Sequence, residues 1–284
     1  MLAKFSKTLS QALSPTSIAK TLVHALGVAI ILIPVSIVFL ATFKPDLDIL
    51  LDPIGLPKSF SIQNYITLFD TSGIGQSIVN SLKVTLASVS LTLALASMTS
   101  YAIARLTKVT GAMLFGLFVL GLTIPAQVNI LPIYILFNSL GLTNSHFGLV
   151  LANLVSALPI SVFIITAFFR ELPKEMIEAA EIDGASHLRV FMRIVLPLST
   201  PAIGATAIFL FVIFWNDLLF PLLLITQQDL QTLPLTLFGF RGEYQTAYGL
   251  LFTGVAIASA PLVVMYILMQ RTFVAGLTSG AVKG

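Results

Sequence analysis

The chain has 284 residues, 57% hydrophobic and only 10% charged, with a net charge of +3 and a mean hydropathy of +0.99. A soluble globular domain carries about 25% charged residues, so that class is excluded. The lack of cysteine removes disulfides, redox chemistry and thiol catalysis, and no basic, aromatic-rich patch suited to nucleic acid is present.

Residues 1–21 are basic and polar, and the first apolar run is a full span, so it reads as a signal anchor. Six segments reach the roughly 20 residues that a bilayer core demands: 22–43, 76–104, 112–137, 147–169, 203–225 and 247–269. Lys83 and Asp217 are their only charged residues. Backbone groups inside lipid must be satisfied within the segment, and the alternation of a membrane barrel is missing. The expectation is an all-α polytopic membrane protein with six transmembrane helices. Residues 1–75 form a tail, one helix and a loop, 76–270 the main transmembrane domain, and 271–284 a tail.

The segment 44–75 is acidic (Asp46, Asp48, Asp52, Asp70) and broken by Pro45, Pro53 and Pro57, which suggests a surface cap. In the second span Ser88, Thr92, Ala96, Ser100 and Ala104 recur every fourth residue. Small residues at that spacing let helices approach closely in lipid, so this face reads as a packing seam. Gly254 and Ala258 repeat the theme, and Pro125, Pro159 and Pro261 mark bends.

Orientation follows from Lys and Arg. The N-terminus, the loops after the second and fourth spans and the C-terminal tail hold eleven of the 15 basic residues. That side, with both termini, is therefore expected to be cytoplasmic. The loop 170–200 lies there and is unusual. Residues 174–197, KEMIEAAEIDGASHLRVFMRIVLP, hold seven charged residues in 24 positions. Pro173 suits a helix start. Lys174, Glu178 and Glu181 share one face, and Met176, Ala179 and Ala180 a shallow other. Gly184 is placed to end the helix and Ser186 to cap a second, with an apolar stripe of Leu188, Phe191, Met192 and Val195. Such a bracket either rests on lipid headgroups or docks a partner, and alanines favour close protein contact over lipid.

The order Glu178-Ala179-Ala180, then Gly184, then Ile194, Leu196 and Pro197 resembles the loop of ABC importer permeases. The blocks IPAQVNILPIYILFNSLGLTNS, FFRELPKEMIEAAEIDGAS, FWNDLLFPLLL and QRTFVAGLTSGAVKG are similar to the sugar-importer branch, above all to the shorter permease of maltose-type transporters. The resemblance implies a type I importer permease fold in which Glu178, Ala179, Ala180, Asp183 and Gly184 belong to a coupling helix seated in an ATPase cleft. It further implies a second permease, a pair of identical ATPase subunits, an extracytoplasmic solute-binding protein, a carbohydrate cargo and a bacterial or archaeal cytoplasmic (inner) membrane. ATP and Mg would be bound by the partner ATPase, since this chain has no G-x4-G-K-[ST] loop for phosphate. No catalytic residue and no cofactor or metal site is expected in the chain.

Asp217 is expected roughly 12 Å below the end of its span at 1.5 Å per residue, so it should face the bundle or a wet cavity. It suits a hydrogen bond to a neighbouring helix, with Lys83 a candidate partner. Gln127, Asn153, Asn216 and Asp217 at one level suit either a sugar path or interhelical hydrogen bonding. His24, His146 and His187 lie near span boundaries without metal-ligand spacing. Glycerol phosphate or another polyol is an alternative cargo. A secondary transporter is the alternative class, but it calls for more intramembrane carboxylates and for internal repeats. In the loop 226–249, exposed apolar residues would invite a partner; the resemblance puts Phe240 and Tyr244 against the solute-binding protein. A re-entrant cap is the other reading of that loop. The tail 271–284 is rich in glycine and small residues, with little helix propensity. By resemblance, Gly276 and Gly280 run into the ATPase interface.

Overall fold

The computed structural model describes the backbone of residues 15–240 and 246–281, and the side chains of residues 20–125, 127–240, 246–268 and 270. Regular structure among these residues is helical, with no β-strand. Two compact units are present, Met1–Ser72 with Phe240–Ile257, and Gly73–Gly239 with Ala258–Gly284.

The first unit contains α1 (Pro15–Ala41), α2 (Asp46–Leu51), α3 (Gln63–Thr71) and the start of α13 (Tyr248–Ala281). From Lys20 onward α1 is apolar and almost wholly exposed, as befits a helix whose surroundings are lipid or another chain. The segment after it is a folded knot with its own contacts. The Phe43 ring meets Phe39, Phe60 and Tyr65 at 5.5, 5.7 and 6.0 Å. Asn64 Nδ2 donates to the carbonyls of Thr42 and Lys44, both at 2.9 Å, and Lys44 Nζ donates to the Asp52 carbonyl at 2.8 Å. Asp46 Oδ1 accepts the Gly249 N–H at 2.7 Å, placing a carboxylate at the electropositive start of α13.

The second unit carries α4 (Ile74–Arg105), α5 (Lys108–Gly121), a 3-10 turn at Ala126–Asn129, α6 (Ile130–Ser139) and α7 (His146–Glu171). There follow α8 (Lys174–Ile182), α9 (His187–Leu198), α10 (Thr200–Trp215), α11 (Leu219–Leu224), α12 (Leu233–Phe238) and the remainder of α13. Local sequence sets several starts. Thr107 Oγ1 accepts the Thr110 N–H at 3.3 Å ahead of α5, and Ser145 Oγ the Gly148 N–H at 3.4 Å ahead of α7.

Four of these helices are long and apolar enough to cross a membrane, and a fifth span results if α9 and α10, bent by 75°, count as one. Two expected segments are divided. The third (112–137) stops as α-helix at Gly121, and Pro125 is extended, with φ −62° and ψ 137°; a proline disfavours helix in the residue before it. The fifth, expected over 203–225, begins at Thr200, ends at Trp215 and resumes only as α11. Pro159 and Pro261 stand inside α7 and α13, which run through them. The tail is a further difference: despite its glycines, α13 continues to Ala281.

α4 and α7 form the central pair of this unit. The expected seam is their contact: Ser88, Thr92, Ala96 and Ser100 are buried. Ser100 Oγ donates to the Val162 carbonyl at 3.3 Å, and Asn153 Nδ2 donates to Ser88 Oγ at 3.1 Å. Side chains this small bring the backbones close enough for such bonds. α10 adds Leu210 and Phe214 to Val89 and Ala157. Trp215 is buried and donates from Nε1 to the Ala258 carbonyl at 2.9 Å.

Candidate functional site

The charged bracket is built at the end of the bundle where α4 and α7 finish. α8 stops as expected. The N–H groups of Asp183, Gly184 and Ala185 reach back to the carbonyls of Ala179, Glu181 and Ala180 at 3.1, 3.0 and 2.9 Å. Gly184 has φ +77°, and no heavy atom lies within 4 Å of the place a Cβ would occupy. Glycine is therefore required for its backbone angle and not for lack of room. Ser186 occupies the cap position of α9, yet its side chain makes no capping bond.

The bracket is held from below. Ile177 is buried in a cluster with Ile103, Ile165, Phe169, Val190, Phe191 and Val195, and Ala180 and Ala185 pack against that cluster. Glu181 Oε1 accepts from Arg105 Nη2, and His187 Nδ1 lies 3.4 Å from the same oxygen. The Tyr101 hydroxyl donates to the His187 carbonyl at 3.2 Å. What remains exposed is Glu178, Ala179, Asp183 and Gly184, with Ile182, Leu188 and Met192 beside them. The expected stripe of Leu188, Phe191, Met192 and Val195 is thus split. Phe191–Val195 is a π-helical stretch; its wider turn moves residues off the spacing of an α-helix, and Phe191 and Val195 point inward while Leu188 and Met192 point out. Ile177, the anchor, went unread in the sequence because a single isoleucine among charges makes no periodic pattern.

The opposite end of α4 holds a different structure. Residues 226–239 lie strapped across it. Asn80 Nδ2 donates to the carbonyls of Asp229 and Gln231 at 2.8 and 3.0 Å. Ser81 Oγ accepts the Leu233 N–H at 2.7 Å, and Ser77 Oγ lies 2.7 Å from Thr236 Oγ1. Asn144 Oδ1 accepts the N–H groups of Thr226 and Gln227 at 2.7 and 3.1 Å, and His146 Nε2 lies 3.0 Å from the Leu230 carbonyl. Leu233, Leu235 and Leu237 are buried. They anchor the strap, so of the two readings of this loop the folded-back one describes 233–237, while Phe238 is exposed and Phe240 half-buried. Tyr244 lies outside the described residues. A signal was present: Asn80 falls in the four-residue register of Ser88 and Thr92, and Ser77 and Ser81, themselves four apart, stand one position beside it.

The four polar residues proposed for a path are not one cluster. Asn153 is buried and bonded to Ser88, and with Asp217 borders one small space also lined by Ser81, Thr85 and Thr232. Asn216 is exposed and donates to the Val212 carbonyl of its own helix at 2.8 Å. Gln127 is exposed on the 3-10 turn. Asp217 Oδ1 accepts the Leu219 and Phe220 N–H groups at 3.0 and 3.4 Å, so it caps α11 and does not pair with Lys83, which is exposed. Gly276 and Gly280 fall within the helical end of α13. Among the described residues, no group of His, Asp and Glu could hold a metal.

Comparison with known proteins agrees with this anatomy. Residues 93–278 match the family described as binding-protein-dependent transport system inner membrane component. The diacetylchitobiose uptake system permease of Streptomyces coelicolor is 31% identical over 265 residues, covering 92% of this chain and 88% of its own. The melibiose/raffinose/stachyose import permease of Bacillus subtilis is 33% identical over 229 residues, 80% and 83% of the two chains. A chain of a bacterial ABC transporter that imports the acidic polysaccharide alginate shares the fold with a TM-score of 0.80, at 15% identity over 91% of this chain and 96% of its own. The match over 93–278 takes in α8, the Gly184 turn and the helices that hold them, and the chain belongs to the binding-protein-dependent inner-membrane permeases of ABC transporters.

Proposed function

We propose that this chain is the permease subunit of an ATP-driven, binding-protein-dependent importer for a carbohydrate. It crosses the membrane six times, with the divided 112–137 segment completing the count, and keeps both termini in the cytoplasm. With a second permease it encloses the translocation path. Each permease docks one of two identical ATPase subunits that bind ATP and Mg, and a solute-binding protein delivers cargo from outside. The sugars named for two relatives, diacetylchitobiose and melibiose, raffinose or stachyose, support a neutral oligosaccharide as cargo.

The observation that carries this reading is the two-faced bracket. Ile177 and Ala180 tie it to the bundle, while Ala179, Asp183 and Gly184 are exposed with Ile182 and Leu188, and Glu178 is exposed at the edge. A charged helix with apolar neighbours and an unhindered glycine turn suits a protein cleft. Ala180, half-buried against its own bundle, positions the helix, and Ala179 is the contact. Ala179→Asp is the test: it is expected to leave the permease inserted but to reduce copurification of the ATPase subunit. Undiminished copurification together with normal sugar uptake would refute the docking role. A sugar panel assayed against the purified solute-binding protein identifies the cargo.

The family resemblance supports Phe240 and Tyr244 as contacts of the solute-binding protein. The helical end of α13, with Gly276 and Gly280, extends towards the ATPase pair. Deleting 276–284 is expected to lower ATPase stimulation by loaded binding protein in reconstituted membranes.

A further inference from the structure

We propose that a recess beside the bracket binds the phosphate headgroup of an anionic phospholipid. The recess has a volume of about 640 Å³ and lies where the end of α4, the start of α5, the end of α7 and α8 converge. Arg105, Lys108, Arg170 and Lys174 border it, against a single carboxylate in its wall, Glu178. Glu181, outside the wall, engages Arg105. The Arg170 guanidinium lies over the Phe115 ring, 4.6 Å from its centroid, which fixes its position without neutralising its charge. Among the described residues no carboxylate lies within ion-pair distance of Lys108 or Lys174. Even with Glu181 counted, cations outnumber carboxylates by two. Four cations thus border the space, two of them with guanidinium forks suited to phosphate oxygens.

The recess is also shaped for an amphiphile. Its remaining wall includes Ile103, Leu106, Phe169 and Leu172. Gly111 closes one side, where a Cβ would come within 2.7 Å of the Ile103 carbonyl, so α5 lies directly on the end of α4. On α5, next to Lys108, Val109, Met113, Leu117 and Leu120 form an apolar stripe, each of them exposed. The spacing places these four on one face of the helix. A headgroup held at Lys108 would lay an acyl chain along that stripe. A free phosphate or sugar phosphate would use the same cations, but a recess at the base of an apolar membrane-facing helix is reached most directly by a headgroup whose acyl chains lie in the bilayer. Basic pockets between helices at the membrane surface take anionic headgroups for this reason. The proposal does not depend on which partner docks on α8, and its failure leaves that reading standing.

The test uses the whole transporter, purified with its partner subunits in bilayer discs of equal phosphatidylglycerol and phosphatidylcholine. Lipids retained after extraction are counted by native mass spectrometry. Wild type is expected to keep phosphatidylglycerol in preference to phosphatidylcholine. The variant K108Q/R170Q should lose that preference roughly tenfold, and K108R/R170K should keep it. Equal retention in wild type and K108Q/R170Q, or equal retention of the two lipids by wild type, would overturn the proposal. Excess inorganic phosphate forms the second arm. If it displaces the lipid completely and binds equally well in lipid-free detergent, the site is one for a free anion and the lipid assignment is wrong. A photoactivatable phosphatidylglycerol applied to the unmutated complex makes the outcome independent of variant folding. Label on the peptide spanning 105–117 supports the proposal, and label confined to other segments refutes it.

Discussion

Arg105, the last residue of α4, donates from Nη2 to Glu181 Oε1 on α8, joining the bracket to the helix that runs through the centre of its unit. Both side chains are about one-third exposed, at 32% and 30%, so water screens the pair. Its contribution is expected to be about 0.2–1 kcal/mol. A double-mutant cycle with Arg105→Ala and Glu181→Ala, read in the stability of the assembled transporter, should return a coupling in that range that shrinks with added salt. Strict additivity at low salt would show that the pair does not tie the bracket down.

Gly184 offers a cleaner separation of backbone from space. At φ +77° with no atom within 4 Å of a Cβ, Gly184→Ala is expected to cost about 1–2 kcal/mol through the left-handed conformation alone. Asn, which tolerates that region, should cost less. Membrane insertion should stay at wild-type level in both, while ATPase stimulation by loaded binding protein falls further for Ala than for Asn. Equal losses would point to contact with a partner surface as the dominant constraint.

Asn80 supplies two N–H groups to the strap at Asp229 and Gln231. Asn80→Ala leaves two carbonyls without their donors and is expected to cost about 1–3 kcal/mol. The local readout is amide hydrogen exchange: the peptide covering 227–236 should exchange faster while that covering 150–165 is unchanged. Unchanged exchange in the strap would mean that its buried leucines hold it without Asn80.

Asp217 receives the first N–H groups of α11. Asp217→Asn keeps an acceptor in place, whereas Asp217→Ala removes it and is expected to cost about 1 kcal/mol. The thermal midpoint of the purified transporter should fall more for Ala than for Asn, and Lys83→Met should leave it near wild type. A Lys83→Met loss as large as that of Asp217→Ala would restore an interhelical ion pair as the role of Asp217.

Much of this protein was legible before folding because it depends on spacing along one helix or on conformational limits of one residue. The seam of Ser88, Thr92, Ala96 and Ser100 shows in the sequence since small residues every fourth place can only define a face. The end of α8 shows because Gly184 alone there tolerates a positive φ. The family resemblance rests on local blocks of the same kind, and the match over 93–278 contains the bracket. Tertiary structure decided the rest. Ile177 became an anchor only when Phe169 and Val190 met it from other helices, and the π-helical turn at Phe191–Val195 altered a stripe that α-helical spacing had made continuous. The leucines of 233–237 read equally as an exposed apolar loop or a re-entrant cap until Asn80 and Ser81, about 150 residues earlier in the chain, donated and accepted, respectively, the bonds that fold them inward. Contacts of that range carry no periodic mark in either partner. Which face is buried then depends on the packing of helices brought together in space.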